Sequence, residues 1–244
     1  MANAYKLVSF ATNMQKYGYK QLAKFYDSLY GDKDYAAEVS FLERLFDGHR
    51  VTKVLDVGCG TGTHMNLLQK DGFRCTGIDI NQEMLDIARK KVKGGLVCAD
   101  MTDFHLNEKY DAIICMFAGF NHLLSTDDAR KAIRCFQENL NQEGIVLLDL
   151  HNPQRNGRKR NIVDGIERIM EWNYNPNSRL ERTDVVFKTK GQTFRDSLTM
   201  RIYSPDEIKQ LLIQEGFTQV QAYDGYGFNP GSQKSKNLEI LAKR

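Results

Sequence analysis

The run Asp56-Val57-Gly58-Cys59-Gly60-Thr61-Gly62-Thr63 places three alternating glycines behind a carboxylate, directly after the apolar pair Val54-Leu55. Glycines so spaced let the backbone adopt left-handed conformations and approach a ligand closely. A dinucleotide fingerprint is spaced G-x-G-x-x-G, and here Thr63 stands where its last glycine would fall, which disfavours a pyrophosphate. Asp79 ends the next apolar run, where a carboxylate can accept hydrogen bonds from both hydroxyls of a ribose, and Asp100 ends the third. Ile80, Met84 and Met116 with Phe117 could wall such a site, although Met84 equally fits a helix core. Beyond the fourth apolar run lies His122, placed to act as a base if its pKa stays near its ordinary value of about 6.5, or to pack as a satisfied core histidine.

These residues need a scaffold that brings several strand ends to one edge. From Lys53 onward, short apolar runs alternate with amphipathic stretches, the pattern of an α/β fold with a parallel sheet covered by helices on both faces. Strands are expected at 53–57, 74–79, 95–99, 112–116 and 145–150, and helices at 64–70, 82–91 and 127–140, the last capped by Ser125 or Thr126. Two upstream helices, near 20–30 and 35–46, would form a lid over the cofactor or cover a sheet edge; Tyr26 and Tyr30 lie on the first and Tyr35 begins the second. After the fifth strand, 166–172, 180–188 and 193–202 read as an antiparallel insertion with turns at 175–178 and Gly191. Ser204-Pro205-Asp206-Glu207 is a capping box with proline at the first helical position, and Gly216 closes that helix. Strands at 217–223 and 237–243 complete a mostly parallel, seven-stranded sheet. The expected organisation is one domain over 1–244, made of an N-terminal helical lid (1–50), a cofactor-binding core (51–152), the antiparallel insertion (153–203) and a C-terminal helix with a strand pair (204–244).

The D-x-G-x-G-x-G pattern resembles motif I of class I S-adenosylmethionine-dependent methyltransferases, which implies a Rossmann-like fold and S-adenosyl-L-methionine as cofactor. The resemblance assigns Asp100 to the adenine amine, Met101 to the face of the ring, and Asp56 to orienting the turn and, often through water, the methionine amine. It also puts the segment Cys115-Met116-Phe117-Ala118-Gly119-Phe120-Asn121-His122-Leu123 opposite the reacting methyl. That segment lacks the Asn-Pro-Pro-Tyr type of tetrad used on exocyclic amines of DNA or on glutamine side chains. Tyr26 and Tyr35 could stabilise a sulfonium with their faces or orient an amine with their hydroxyls. Together with Asp100-Met101-Thr102-Asp103-Phe104 and the stretch Arg195 to Glu207, these residues are similar to small-molecule N-methyltransferases, in particular nucleotide-linked amino-sugar N,N-dimethyltransferases; Asn121-His122 replaces a more typical glycine-tyrosine. The implied cofactor-binding set is Tyr26, Tyr35, Asp56, Gly58, Gly60, Gly62, Thr63, Asp79, Ile80, Met84, Asp100, Met101 and Met116. His122 and Tyr26 are the catalytic candidates.

Composition narrows the partners. A net charge of +3 is too small for a dedicated nucleic-acid binder. No run reaches the roughly 18 apolar residues of a membrane span, and residues 1–15 lack the apolar core of a secretory signal. The five cysteines show neither metal-knuckle nor redox spacing and read as reduced thiols, so the expected setting is cytoplasmic and no metal is expected. Arg155, Arg158, Lys159 and Arg160 form a basic run that could grip a phosphate or carboxylate, or lie in a solvated loop. The insertion could pair across a homodimer axis. O-methylation, RNA or protein methylation, a cofactor-binding effector without turnover, and a dehydrogenase are the competing readings.

Overall fold

The computed structural model of the chain describes residues 23–152, 156–189 and 191–244; the start of the first expected lid helix, residues 20–22, and Arg155 lie outside them. A short turn, Ala23–Phe25, runs into one helical turn, Tyr26–Leu29. Helix α1 (Tyr35–His49) begins at Asp34, whose carboxylate accepts from the Ala37 amide at 2.9 Å. There follow β1 (Lys53–Val57), α2 (Thr63–Lys70), β2 (Arg74–Asp79), α3 (Gln82–Ala88), β3 (Leu96–Cys98), β4 (Tyr110–Cys115), α4 (Thr126–Asn139) and β5 (Leu140–His151). Strands β1 and β2 have the expected bounds. Helix α3 stops three residues early, because Lys90 and Lys91 already donate to carbonyls three positions back in a tightened last turn. Helix α4 is capped by Ser125, whose hydroxyl accepts from the Asp128 amide at 3.0 Å.

A second sheet follows, made of β6 (Gly157–Val163), β7 (Ile166–Asn175), β8 (Leu180–Thr189) and β9 (Gln192–Arg201), and the chain ends with α5 (Pro205–Gln214), β10 (Thr218–Asp224) and β11 (Asn237–Lys243). The main sheet has the order β10-β11-β5-β4-β1-β2-β3. Its β1 to β5 neighbours pair in parallel, while β11 runs antiparallel to both β5 and β10. Strand β4 shows why the sheet must be covered twice: Ile113 and Cys115 point into a cluster with Phe120, Phe136 and Tyr203, and Ala112 and Ile114 into one with Phe41, Phe46 and Met65. Burying each such Ile, Leu or Phe stabilises the fold by about 1.5–3 kcal/mol before conformational entropy is counted.

The second sheet is a simple antiparallel meander in the order β6-β7-β8-β9. It has one strand more than expected, since β6 takes up Arg158, Lys159 and Arg160 as a charged edge strand in place of the solvated loop. Arg160 there pairs with Glu167 of β7. The inward face of β8 alternates through Glu181, Thr183, Val185 and Phe187. Val185 and Phe187, with Leu198 and Met200 of β9, pack against Leu29, Phe25, Tyr30 and Ala118, so this sheet shares its core with the N-terminal segment. Helix α5 starts as expected, with Ser204 accepting from the Glu207 amide at 3.2 Å. The Glu207 carboxylate, however, turns to Arg201 and Arg179, which replaces the return bond of a capping box by ion pairs to β9 and to the residue before β8.

Candidate active site

A cavity, about 1000 Å³ with the open solvent at its mouth included, lies at the carboxyl ends of β1, β2, β3 and β4, the place where open α/β sheets bind ligands. Gly58, Gly60 and Gly62 have φ of +72°, +54° and +77°. Their surroundings differ: a Cβ on Gly60 would meet nothing within 4 Å, and one on Gly58 only the end of Met101, so both leave the main chain open to the cavity. A Cβ on Gly62 would lie 3.0 Å from Val92 and 3.1 Å from Ala88, which makes Gly62 a contact between α2 and the end of α3.

Asp79 holds the turn from the second strand. Its Oδ2 accepts from the Gly60 amide and its Oδ1 from the Asn81 amide, both at 2.8 Å. Burial pushes its pKa up, and those two bonds work against the rise. Asp100 uses one carboxylate oxygen, Oδ1, to accept from the amide and hydroxyl of Thr102 at 2.9 and 2.8 Å. Asp56 is 1% exposed, its Oδ2 has no partner among the described residues, and burial first of all raises its pKa to about 6, with His64 lowering and Asp79 raising it further.

Of the residues singled out from the sequence, Tyr26, Gly58, Gly60, Asp79, Ile80, Met84, Asp100, Met101, Met116 and His122 line the cavity together with Phe117. Gly62, Thr63, Tyr35 and Asp56 do not. Tyr35 instead stacks edge-on against His64, 5.1 Å between ring centres, below Lys33. His122 lines the cavity too, and burial lowers its pKa to about 4. The imidazole is therefore neutral at neutral pH but too weak a base to keep a proton taken from an amine, a property its spacing in the sequence could not reveal.

Two contacts were not legible from residue types. Thr61 Oγ1 donates to Asp27 at 2.6 Å, and Lys91 pairs with the other Asp27 oxygen at 2.6 Å, so the glycine turn is tied to the segment that carries Tyr26. At the end of β4, Phe117 and Ala118 both take positive φ, +52° and +58°. Asp149 of β5 secures them: its Oδ2 accepts from the Phe117 amide at 2.7 Å and its carbonyl from the Ala118 amide at 3.2 Å, while the Tyr226 hydroxyl donates to Oδ2 at 2.8 Å. Among the described residues no lysine or arginine lines the cavity, and no His, Cys, Asp or Glu cluster could hold a metal ion. All five cysteines are free.

Residues 54–144 match the sequence profile of a family described as "Methyltransferase domain". The chain is thus similar to a methyltransferase domain over residues 54–144, within a Rossmann-like fold. A dTDP-3-amino-3,4,6-trideoxy-alpha-D-glucopyranose N,N-dimethyltransferase of Streptomyces venezuelae is 35% identical over 132 residues, 52% of this chain and 56% of the relative. The chain therefore spans little more than half the length of that relative. A protein of Geobacillus sp. (strain WCH70) named as a methyltransferase is 26% identical over 93% of this chain and 99% of its own. Among solved structures, an S-adenosylmethionine-dependent methyltransferase from Clostridium acetobutylicum superposes with a TM-score of 0.81 at 21% identity, covering 92% of this chain and 98% of that one, which shows the shared fold.

Proposed function

We propose that the chain transfers a methyl group from S-adenosyl-L-methionine to the amine of a small-molecule acceptor, with an amino sugar as the leading candidate. The observation that carries the reading is the cavity itself: two acids at the ends of β2 and β3, an open glycine turn after the adjacent β1, and apolar walls where no lysine or arginine stands among the described residues. Asp79 would accept from the ribose hydroxyls, Asp100 would take the adenine amine on its second oxygen, and Met101, Ile80 and Met84 would close on the ring. Asp56, buried behind the turn with an unpartnered oxygen, would orient the turn and meet the methionine ammonium through water. The bound cofactor supplies an electrophilic methyl carbon on a sulfonium, and an acidic lining favours that charge. Met116, Phe117 and Tyr26 exclude water and hold the acceptor in line, the main source of rate in a displacement of this kind. Neutral His122 would orient the amine by accepting a hydrogen bond, leaving the proton to pass to solvent. The amino-sugar relative supports an amine acceptor.

Among the described residues no helix is long and apolar enough to cross a membrane. Five free thiols suit the cytoplasm, and a net charge of +3 argues against nucleic acid as the acceptor. The test is transfer of a radiolabelled methyl group to a panel of amines that includes nucleotide-linked amino sugars, run beside titrations with adenosylhomocysteine and NAD. Label on an amine and preference for adenosylhomocysteine uphold the proposal; label on oxygen, no label at all, or preference for NAD overturns it.

A further inference from the structure

A second group of polar side chains stands where the end of β5 meets β8 and has no part in the reading above. His151, the last residue of β5, places Nε2 3.2 Å from Glu181 Oε1 on the inward face of β8. The Thr183 hydroxyl donates to the same oxygen at 3.4 Å. Glu181 is 1% exposed, and its other oxygen, Oε2, has no partner among the described residues. A buried carboxylate oxygen without a donor is costly to fold around. The His151 side chain, by contrast, keeps 33% of its surface exposed.

The position of this pair is fixed from the cavity side. Asn121 accepts from the His151 amide at 3.0 Å and donates to the carbonyls of His151 and Arg201 at 3.1 and 2.7 Å, which ties the ends of β5 and β9 together. Its neighbour in the chain, His122, lines the cavity. His151 and Glu181 therefore stand at the seam between the two sheets, at the carboxyl end of β5 beside the end of its neighbour β4, from which Met116, Phe117 and His122 line the cavity. Along β8 the inward face then changes from Glu181 and Thr183 to Val185 and Phe187, polar at the seam and apolar beyond it.

We propose that His151 and Glu181 form an acceptor subsite for a hydroxylated ring amine, in which Glu181 Oε2 accepts the hydrogen of a ring hydroxyl beside the amine and His151 fixes the carboxylate. The subsite rests on the proposed amine-methylating function and adds the substrate feature it selects. A polar group held for a ligand hydroxyl rejects an otherwise equal molecule that lacks it, because the carboxylate then stays unpaired.

The test compares the wild type with Glu181→Gln and Glu181→Met on two acceptors, a nucleotide-linked amino hexose and its analogue deoxygenated at the carbon next to the amine. In Glu181→Met the KM for the hydroxylated amine should rise about 10-fold or more, as expected on losing a hydrogen bond to a charged group. The analogue's KM and the adenosylhomocysteine affinity should stay within about twofold, and Glu181→Gln should fall between. A structural role would shift both acceptors alike, and equal shifts or no shift overturn the subsite. If Glu181→Met does not fold, the same ratio is read from Glu181→Gln. If the wild type methylates neither amine, the functional proposal fails for this acceptor class. Calorimetric binding of the two amines to the adenosylhomocysteine complex then decides the subsite: a preference for the hydroxylated amine that the variants lose upholds it, and equal or absent binding overturns it.

Discussion

Asp79 holds the glycine turn with the same two oxygens that would meet a ribose, so its loss acts on both. Asp79→Ala should weaken adenosylhomocysteine binding at least about 10-fold in an equilibrium titration, and unchanged affinity would remove it from the site. Asp56 makes a different prediction. With a pKa raised to about 6 by burial, it is ionised above that pH and can face an ammonium, but must be deprotonated at a cost below it. Adenosylhomocysteine affinity should therefore fall as pH drops from 7 through about 6, and Asp56→Asn should flatten that dependence. Asp79 and Asp100 were legible in the sequence because each closes an apolar run at the ligand edge of the sheet. Gly62 was not separable from Gly58 and Gly60, since the neighbours that make it a packing residue, Val92 and Ala88, lie far along the chain. The same holds for His122, whose lowered pKa comes from what surrounds it.

At the scale of elements, the bond from Thr61 to Asp27 couples the segment Tyr26–Leu29 to the turn between β1 and α2. Asp27→Ala should loosen that segment, raise the cofactor KM several-fold and speed limited proteolysis within residues 23–34, with the melting temperature little changed because the side chain is half exposed. Strand β11 offers the opposite case. Glu239 is fully buried opposite Asp149 of β5, and burial followed by Asp149 raises its pKa to about 10. The unfolded chain releases that proton above about 4.5 while the folded one keeps it, so stability is lost as pH rises between those values. Glu239→Gln should remove the slope, melting at least about 3 °C higher at pH 8 and converging with the wild type near pH 4.5. Strands β1 and β2 could be placed from their apolar runs and flanking glycines, whereas β6 was hidden: an exposed edge strand carries charge where a buried one carries Val or Ile.

For the whole molecule, the sequence pattern reached the main sheet and its helices because their periodicities are set by burial on two faces, and it found the second sheet as three strands of four. It could not show how the two sheets meet, a matter of Asn121, Arg201 and the apolar contacts around Leu29. A homodimer through the second sheet would set the exposed edge residues Arg158, Lys159 and Arg160 of two chains against one another if the β6 edges pair. Screening should then favour association, so sedimentation velocity at about 0.05 M and 1 M salt is expected to show more dimer at the higher value, and a salt-independent monomer would exclude that contact. The two sheets share no strand pairing. Substitutions on β8 and β9 can therefore accumulate, or be exchanged for another sequence, without disturbing the register that aligns Asp56, Gly58 and Asp79. On the proposed function, such a layout would lend itself to divergence and to engineering: a new acceptor could be courted on one sheet while the methyl donor's seat on the other is inherited intact.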